Sequence, residues 1–164
     1  MKIPRNLLIT FTRVCLSLVL TAPLQAQTTA TELHSHGHDE NATSALSLDQ
    51  GKKWQTDAAL RQGMQSINDA VMRNVDTFHH NKLTQSDAEK LAQHINDQVT
   101  YLVTNCKLES KADATLHVLI GELLAGADAL KKNPQSMQGM PVLVKALMQY
   151  PEYFEHKGWK GVEH

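Results

Sequence analysis

Residues 60–78, LRQGMQSINDAVMRNVDTF, decide the fold class because their large apolar side chains recur every three or four residues. This spacing places the apolar side chains on one face of an α-helix, with polar side chains on the opposite face. The pattern predicts a helix from about Thr56 to His80, ended by Asn81 and Lys82. The apolar stripe consists of Leu60, Met64, Ile67, Val71, Val75 and Phe78.

Two further segments repeat this period. A second helix is predicted from Thr84, whose hydroxyl can cap it with Asp87 at the reciprocal third position, to about Lys107. A third is predicted from residues 110–113 to 133–134, where proline disfavours helix in the residue before it. Their stripes are Ala88, Leu91, Ile95, Val99, Leu102 and Cys106, followed by Leu116, Leu119, Ile120, Leu123, Ala127 and Leu130.

A fourth helix is predicted after Gly139, with Pro141 in its first turn and Pro151 kinking or ending it. Its stripe is Leu143, Ala146, Leu147 and Tyr150, with Phe154 beyond the second proline. No segment alternates with a strand period over a useful length, and the connections are short. The sequence therefore predicts an all-α domain over residues 49–164, an antiparallel up-down-up-down four-helix bundle.

Residues 1–26 have the pattern of a secretory signal peptide. An apolar run over residues 14–20 follows three basic residues, Lys2, Arg5 and Arg13. The run is too short to span a membrane. Cleavage is expected after Ala26, which predicts a periplasmic product that is not held in a membrane.

Charge and cysteine content narrow the possible functions. Beyond residue 26 there are 13 Lys and Arg against 17 Asp and Glu, a formal charge of −4 with histidine neutral, which disfavours a nucleic-acid partner. Cys106 is the only cysteine in that part, so no disulfide can form within it.

Residues 27–48 are predicted to be a disordered tail because they hold too few apolar side chains to offset their ordering entropy. Within the tail, residues 34–40 read HSHGHDE: three alternating histidines followed by two carboxylates. Imidazole is the commonest protein ligand for Zn, Cu and Ni, so this stretch predicts metal capture, with a plain polar linker as the alternative. The candidate ligands are His34, His36, His38, Asp39 and Glu40.

The predicted topology brings four more candidate ligands to one end of the bundle: Met64, Cys106, His117 and His156. Thiolate, thioether and imidazole together suit Cu(I), whereas Zn would accept the cysteine and histidines but not the methionine. Asp113, one turn before His117, is placed to orient the imidazole.

Each of these residues also has an ordinary structural interpretation. Met64 is a typical core side chain, Cys106 a buried inert thiol, and His117 an edge histidine paired with Asp113. His156 joins the others only if Pro151 redirects the chain.

Several segments resemble a group of small exported bacterial proteins described as DnrO-like, which are associated with heavy-metal resistance. The resemblance covers nearly the whole bundle and implies export and a metal-related setting, but no catalytic residue. Lys157 stands where the group's pattern has proline. The matching segments are residues 46–57, 60–64, 105–108, 112–117, 153–156 and 158–159.

The predicted architecture is also similar to the periplasmic four-helix cytochromes, which hold haem b between a methionine on helix one and a histidine on helix four. Met64 and His156 stand at roughly those places. No Cys-x-x-Cys-His motif is present, which argues against covalent haem.

Three functions remain in competition. The first is a periplasmic metal-binding accessory protein for copper or zinc, with a metal efflux or sensor protein as partner. The second is a haem b electron carrier, and the third a helical interaction or stress protein without metal. An enzyme is not expected, because no nucleophile motif, zinc-protease signature or phosphate loop is present.

Overall fold

The computed structural model describes residues 45–161 of the chain. Those residues form four helices, which confirms the predicted all-α class. The helices are α1 (Ala58–His79), α2 (Gln85–Asn105), α3 (Ser110–Lys132) and α4 (Met140–Tyr153). None of the helices in this range is long and apolar enough to cross a membrane. The predicted signal peptide and residues 27–44 of the predicted tail lie outside the described residues.

Capping side chains fix the starts of α1 and α2. Oδ1 of Asp57 accepts a hydrogen bond from the backbone N–H of Leu60 at 2.6 Å. Oγ1 of Thr84 accepts one from the N–H of Asp87 at 3.1 Å, as predicted. Each cap satisfies a backbone donor that has no partner inside its helix, which is worth about 1 kcal/mol.

The predicted apolar stripes form the core. Leu60, Met64, Ile67 and Val71 of α1 have no exposed surface, while Val75 is half-buried at the edge. Burying a side chain of this size contributes roughly 1.5–3 kcal/mol, which offsets the conformational entropy lost on folding. The other three helices bury Leu91, Ile95, Leu102, Leu116, Leu119, Leu123, Leu130, Leu143, Leu147 and Tyr150 against them.

Two glycines allow close approach between helices. A Cβ on Gly63 of α1 would come within 2.8 Å of Cγ of Leu102 on α2, and one on Gly126 of α3 within 2.9 Å of Cγ of Leu143 on α4. The sequence pattern places Gly126 towards the polar side of α3, but the glycine is buried. Because glycine has no side chain, the hydrophobic pattern of the sequence does not show that this position faces the core.

Polar contacts join each helix to the next along the chain. Between α1 and α2, Oγ of Ser66 lies 3.0 Å from Nε2 of His94. At the start of α2, the Gln85 amide donates to the carbonyl oxygen of Lys131, in the last turn of α3. Nζ of Lys145 on α4 lies 2.9 Å from Oε1 of Glu122 on α3.

Two very short strands, absent from the sequence prediction, join the ends of the helical domain. β1 (Trp54–Gln55) pairs in parallel with β2 (Phe154–Glu155), and Trp54 lies opposite Phe154. Both aromatic side chains are buried at this end of the domain. A two-residue strand has no periodicity that a sequence could reveal.

The end of α4 differs in detail from the prediction. The helix continues two residues past Pro151 to Tyr153. In the last turn, the missing N–H of proline removes a single helical hydrogen bond, so a short continuation is tolerated. The chain then turns into β2, and this redirection decides where His156 lies.

Candidate functional site

Cys106 and His117 are brought together at one cavity. Cys106 directly follows α2 and is half-buried, whereas His117 lies on the second turn of α3. Both line a cavity of about 260 Å³ together with Asp113. The remaining walls are apolar: Leu102, Val103, Leu116 and Ile120. The structure thus places a thiol, an imidazole and a carboxylate around one small opening.

The surroundings of Cys106 disfavour ionisation of its thiol. Burial, with a smaller contribution from the carboxylates of Asp57 and Asp113, raises its pKa to about 12. At neutral pH the sulfur is therefore a protonated thiol and a weak nucleophile. A metal ion that binds here must displace the proton, so the affinity would increase with pH.

The imidazole of His117 is oriented by the turn before it. Its Nδ1 lies 2.9 Å from the backbone carbonyl oxygen of Asp113 and 3.4 Å from the carboxylate Oδ2 of the same residue. Because a carbonyl oxygen only accepts, Nδ1 carries the proton, and Nε2 keeps the lone pair that a metal would use. Asp113 thus orients the ring, as predicted, and the closer contact is through its backbone.

Met64 is solvent-inaccessible in the core and is not among the residues that line this cavity. Within residues 45–161, no group of three or more His, Cys, Asp and Glu side chains is arranged to hold a metal ion. The cavity at Cys106 therefore offers a pair of soft and borderline ligands with a carboxylate nearby, and not a complete coordination shell.

His156 occupies a separate aromatic cluster. Its Nδ1 lies 3.0 Å from the hydroxyl oxygen of the fully buried Tyr150, and its ring packs 5.0 Å from that of Trp159, centroid to centroid. Burial lowers the pKa of His156, and the nearby positive charge of Arg61 lowers it as well. His156 is therefore neutral at physiological pH, with one ring nitrogen already paired to Tyr150.

Cys106 influences the ionisation of Tyr150 in this cluster. Burial raises the pKa of the Tyr150 hydroxyl far above its usual value, and Cys106 contributes to the same direction. The sequence pattern identified Tyr150 only as a core side chain. Its pairing with His156 depends on the course of the chain after α4; Pro151 predicted a kink or an end of the helix there, but not the direction of the chain beyond it.

The five candidate ligands of the tail, His34, His36, His38, Asp39 and Glu40, lie outside the described residues. Residues 45–48 are the part of the predicted tail that the structure describes, and they contact the helical domain. The carbonyl oxygen of Ser47 accepts a hydrogen bond from Nε1 of Trp54 at 2.7 Å, and its hydroxyl lies 3.2 Å from that of Thr115. The chain is thus anchored to the domain before Asp49.

Comparison with known proteins assigns no family. No protein-family model, curated protein or solved structure matches this chain.

Proposed function

We propose that this protein is an exported, periplasmic metal-binding accessory protein for copper or zinc. The observation that carries the proposal is the stretch of residues 34–40, in which three histidines and two carboxylates lie within seven positions, a short distance beyond the predicted export signal. Imidazole with carboxylate suits zinc and Cu(II), and a short polar segment can arrange such ligands around an ion. The function is capture or buffering of the ion for a metal efflux or sensor protein, without nucleic acid or membrane as partner.

The helical domain follows this segment in the chain. We infer that the domain is an antiparallel up-down-up-down bundle. The contacts between α1 and α2 support the opposite direction of neighbouring helices. Asp57 contacts Lys107, Gln62 contacts Tyr101, and Ser66 contacts His94, so residue numbers rise along α1 as they fall along α2. Short connections between helices favour the same arrangement for the remaining pairs.

The cavity lined by Cys106 and His117 is a second, weaker binding position in this proposal. A thiolate and a neutral imidazole are ligands for both Zn and Cu(I), and Asp113 already orients the imidazole. Two protein ligands leave the remaining positions to water, which keeps the affinity low. The high pKa of Cys106 adds a proton to be displaced.

Calorimetric titration of the purified protein with Zn²⁺ tests the proposal. The triple variant His34→Ala, His36→Ala, His38→Ala should lose the tighter binding event, and Cys106→Ser should lose the weaker one. Binding of Cu(II), measured against a competing chelator, should likewise be weakened in the triple variant. Unchanged binding by the triple variant would refute the proposal.

His80 provides a matched control for His117. Nδ1 of His80 lies 2.8 Å from the backbone carbonyl oxygen of Asp76, the same arrangement that His117 makes with Asp113. The cavity that holds His117 also holds Cys106, whose thiol is the additional ligand. His117→Ala should therefore weaken the second binding event, while His80→Ala should leave it unchanged.

A further inference from the structure

A second, larger cavity lies between α1 and α4. Its volume is about 550 Å³, within the range of cavities that hold small organic ligands. Val75 and Phe78 line it from α1, and Met140, Val144 and Met148 line it from α4. Met148 remains 48% exposed although it is apolar, so this wall is accessible from solvent. Methionine side chains adapt their shape to different apolar ligands.

The polar side chains that line this cavity are those of His79, Lys145, Gln149 and Glu152. Lys145 also lines it, but its ammonium group is paired with Glu122 on α3 at 2.9 Å. Glu152 lines the cavity and forms no ion pair with any residue in the range 45–161. Gln149 also lines the cavity, and its Oε1 is buried and has no hydrogen-bond donor among the same residues.

This combination fits a particular kind of ligand. An acceptor that is buried without a donor is costly, and a ligand that supplies the donor removes that cost. The carboxylate of Glu152 adds a negative charge beside the same apolar walls. The one primary ammonium group that lines the cavity is already neutralised by Glu122.

We propose that the cavity between α1 and α4 binds a small amphiphilic cation. Its apolar part lies against Val75, Phe78 and Met148, and its protonated amine faces Gln149 and Glu152. The site shares none of its lining residues with the cavity of Cys106 and His117. The proposal is therefore independent of metal binding.

Three probes with the same ten-carbon chain test the charge preference: decylamine, decanol and decanoate. Binding is measured by calorimetry at mildly alkaline pH, below the concentration at which each probe forms micelles, with circular dichroism to verify that the helices persist. Decylamine should bind roughly fivefold more tightly than decanol, as an exposed charge pair and one hydrogen bond allow, and decanoate should bind most weakly. Equal affinities for the three probes, or no binding of decylamine, would overturn the proposal.

Variants locate the binding to this cavity. Glu152→Gln should reduce the affinity for decylamine to near that for decanol. Glu155→Gln should have no effect, because it removes the same charge from the exposed residue of β2, which does not line the cavity. If the two variants weaken decylamine equally, the amine responds to overall charge and the proposed site is wrong.

Blocking the cavity gives a second check. Val144→Trp should fill it and abolish binding of all three probes. If that variant does not fold, Met148→Lys provides the replacement, because Met148 is half-exposed and the new charge should repel decylamine while sparing decanoate. Binding of decylamine to a folded blocking variant with unchanged affinity would also overturn the proposal.

Discussion

The hydroxyl oxygen of Tyr150 lies 3.0 Å from Nδ1 of His156, across the turn that follows α4. Tyr150 is fully buried, and its ring stacks on Phe154 and tilts against Trp159. This hydrogen bond holds the end of the chain onto the helices. The partly buried position of His156 makes it a source of pH dependence.

The stability of the domain should fall as the pH is lowered through the titration of His156. Burial and Arg61 lower its pKa in the folded state below the ordinary value of 6.5, so the unfolded chain binds the proton more tightly. The contribution to stability is complete above about pH 6.5 and is lost as the pH falls through the lower, folded pKa. Urea unfolding at a series of pH values checks this, and NMR titration of His156 gives the folded pKa directly.

His156→Gln provides the control, since its amide can pair with Tyr150 but does not titrate. The variant should flatten the pH dependence in this window. An unaltered pH profile in His156→Gln would assign the effect to other groups.

The thiol of Cys106 should react slowly with a disulfide reagent in the folded protein. Its pKa of about 12 leaves little thiolate near neutral pH, and unfolding should restore the rate of an ordinary cysteine. Asp113→Asn removes one of the two carboxylates that raise the pKa, so it should increase the rate. Stopped-flow absorbance measures both effects. A folded-state rate equal to that of the unfolded chain would contradict the assigned environment.

Gly63→Ala and Gly121→Ala should change stability in opposite directions. A Cβ at Gly63 would come within 2.5 Å of Leu102, so the added methyl group should cost about 1–3 kcal/mol. Gly121 is exposed in the middle of α3 with no atom within 4 Å of the added Cβ, so alanine should gain about 0.5–1 kcal/mol. Chemical denaturation of the two variants checks the prediction. A stabilised Gly63→Ala would show that the α1–α2 contact is looser than described.

Asp57 should be a stability determinant because its two carboxylate oxygens serve different helices. Oδ1 caps α1 at Leu60, and Oδ2 accepts the backbone N–H of Lys107 after α2 at 2.7 Å. Asn has one acceptor oxygen and Ala has none, so the free energy of unfolding should decrease from wild type to Asp57→Asn to Asp57→Ala. Loss of the cap alone is worth about 1 kcal/mol. Equal stability of the two variants in denaturant titrations would argue against this double role.

Much of the helical structure was predictable from the sequence because it depends on local periodicity. The stripes of Leu60 to Phe78 and of Ala88 to Leu102 identified both the helices and their buried faces. The cap at Thr84 was also a local signal. What the sequence could not reveal depended on distant contacts: the pairing of Trp54 with Phe154 and the close packing of Gly126 on Leu143.

The candidate site was predictable in part for the same reason. Helical spacing placed Asp113 under His117, and the topology placed Cys106 near both. The same reasoning grouped Met64 and His156 with them, whereas Met64 lies in the core and His156 pairs with Tyr150. Burial depth and the course of the chain after Pro151 depend on tertiary packing, which a spacing pattern does not contain.

The proposed function depends on metal binding by residues 34–40. It is tested most directly by elemental analysis of the purified protein after exposure to Zn²⁺ and removal of free ions, beside the triple variant His34→Ala, His36→Ala, His38→Ala. Each wild-type chain should retain at least one zinc ion, and the triple variant should lose that ion. A wild-type protein that retains no zinc or copper, or a triple variant that retains as much as wild type, would contradict it.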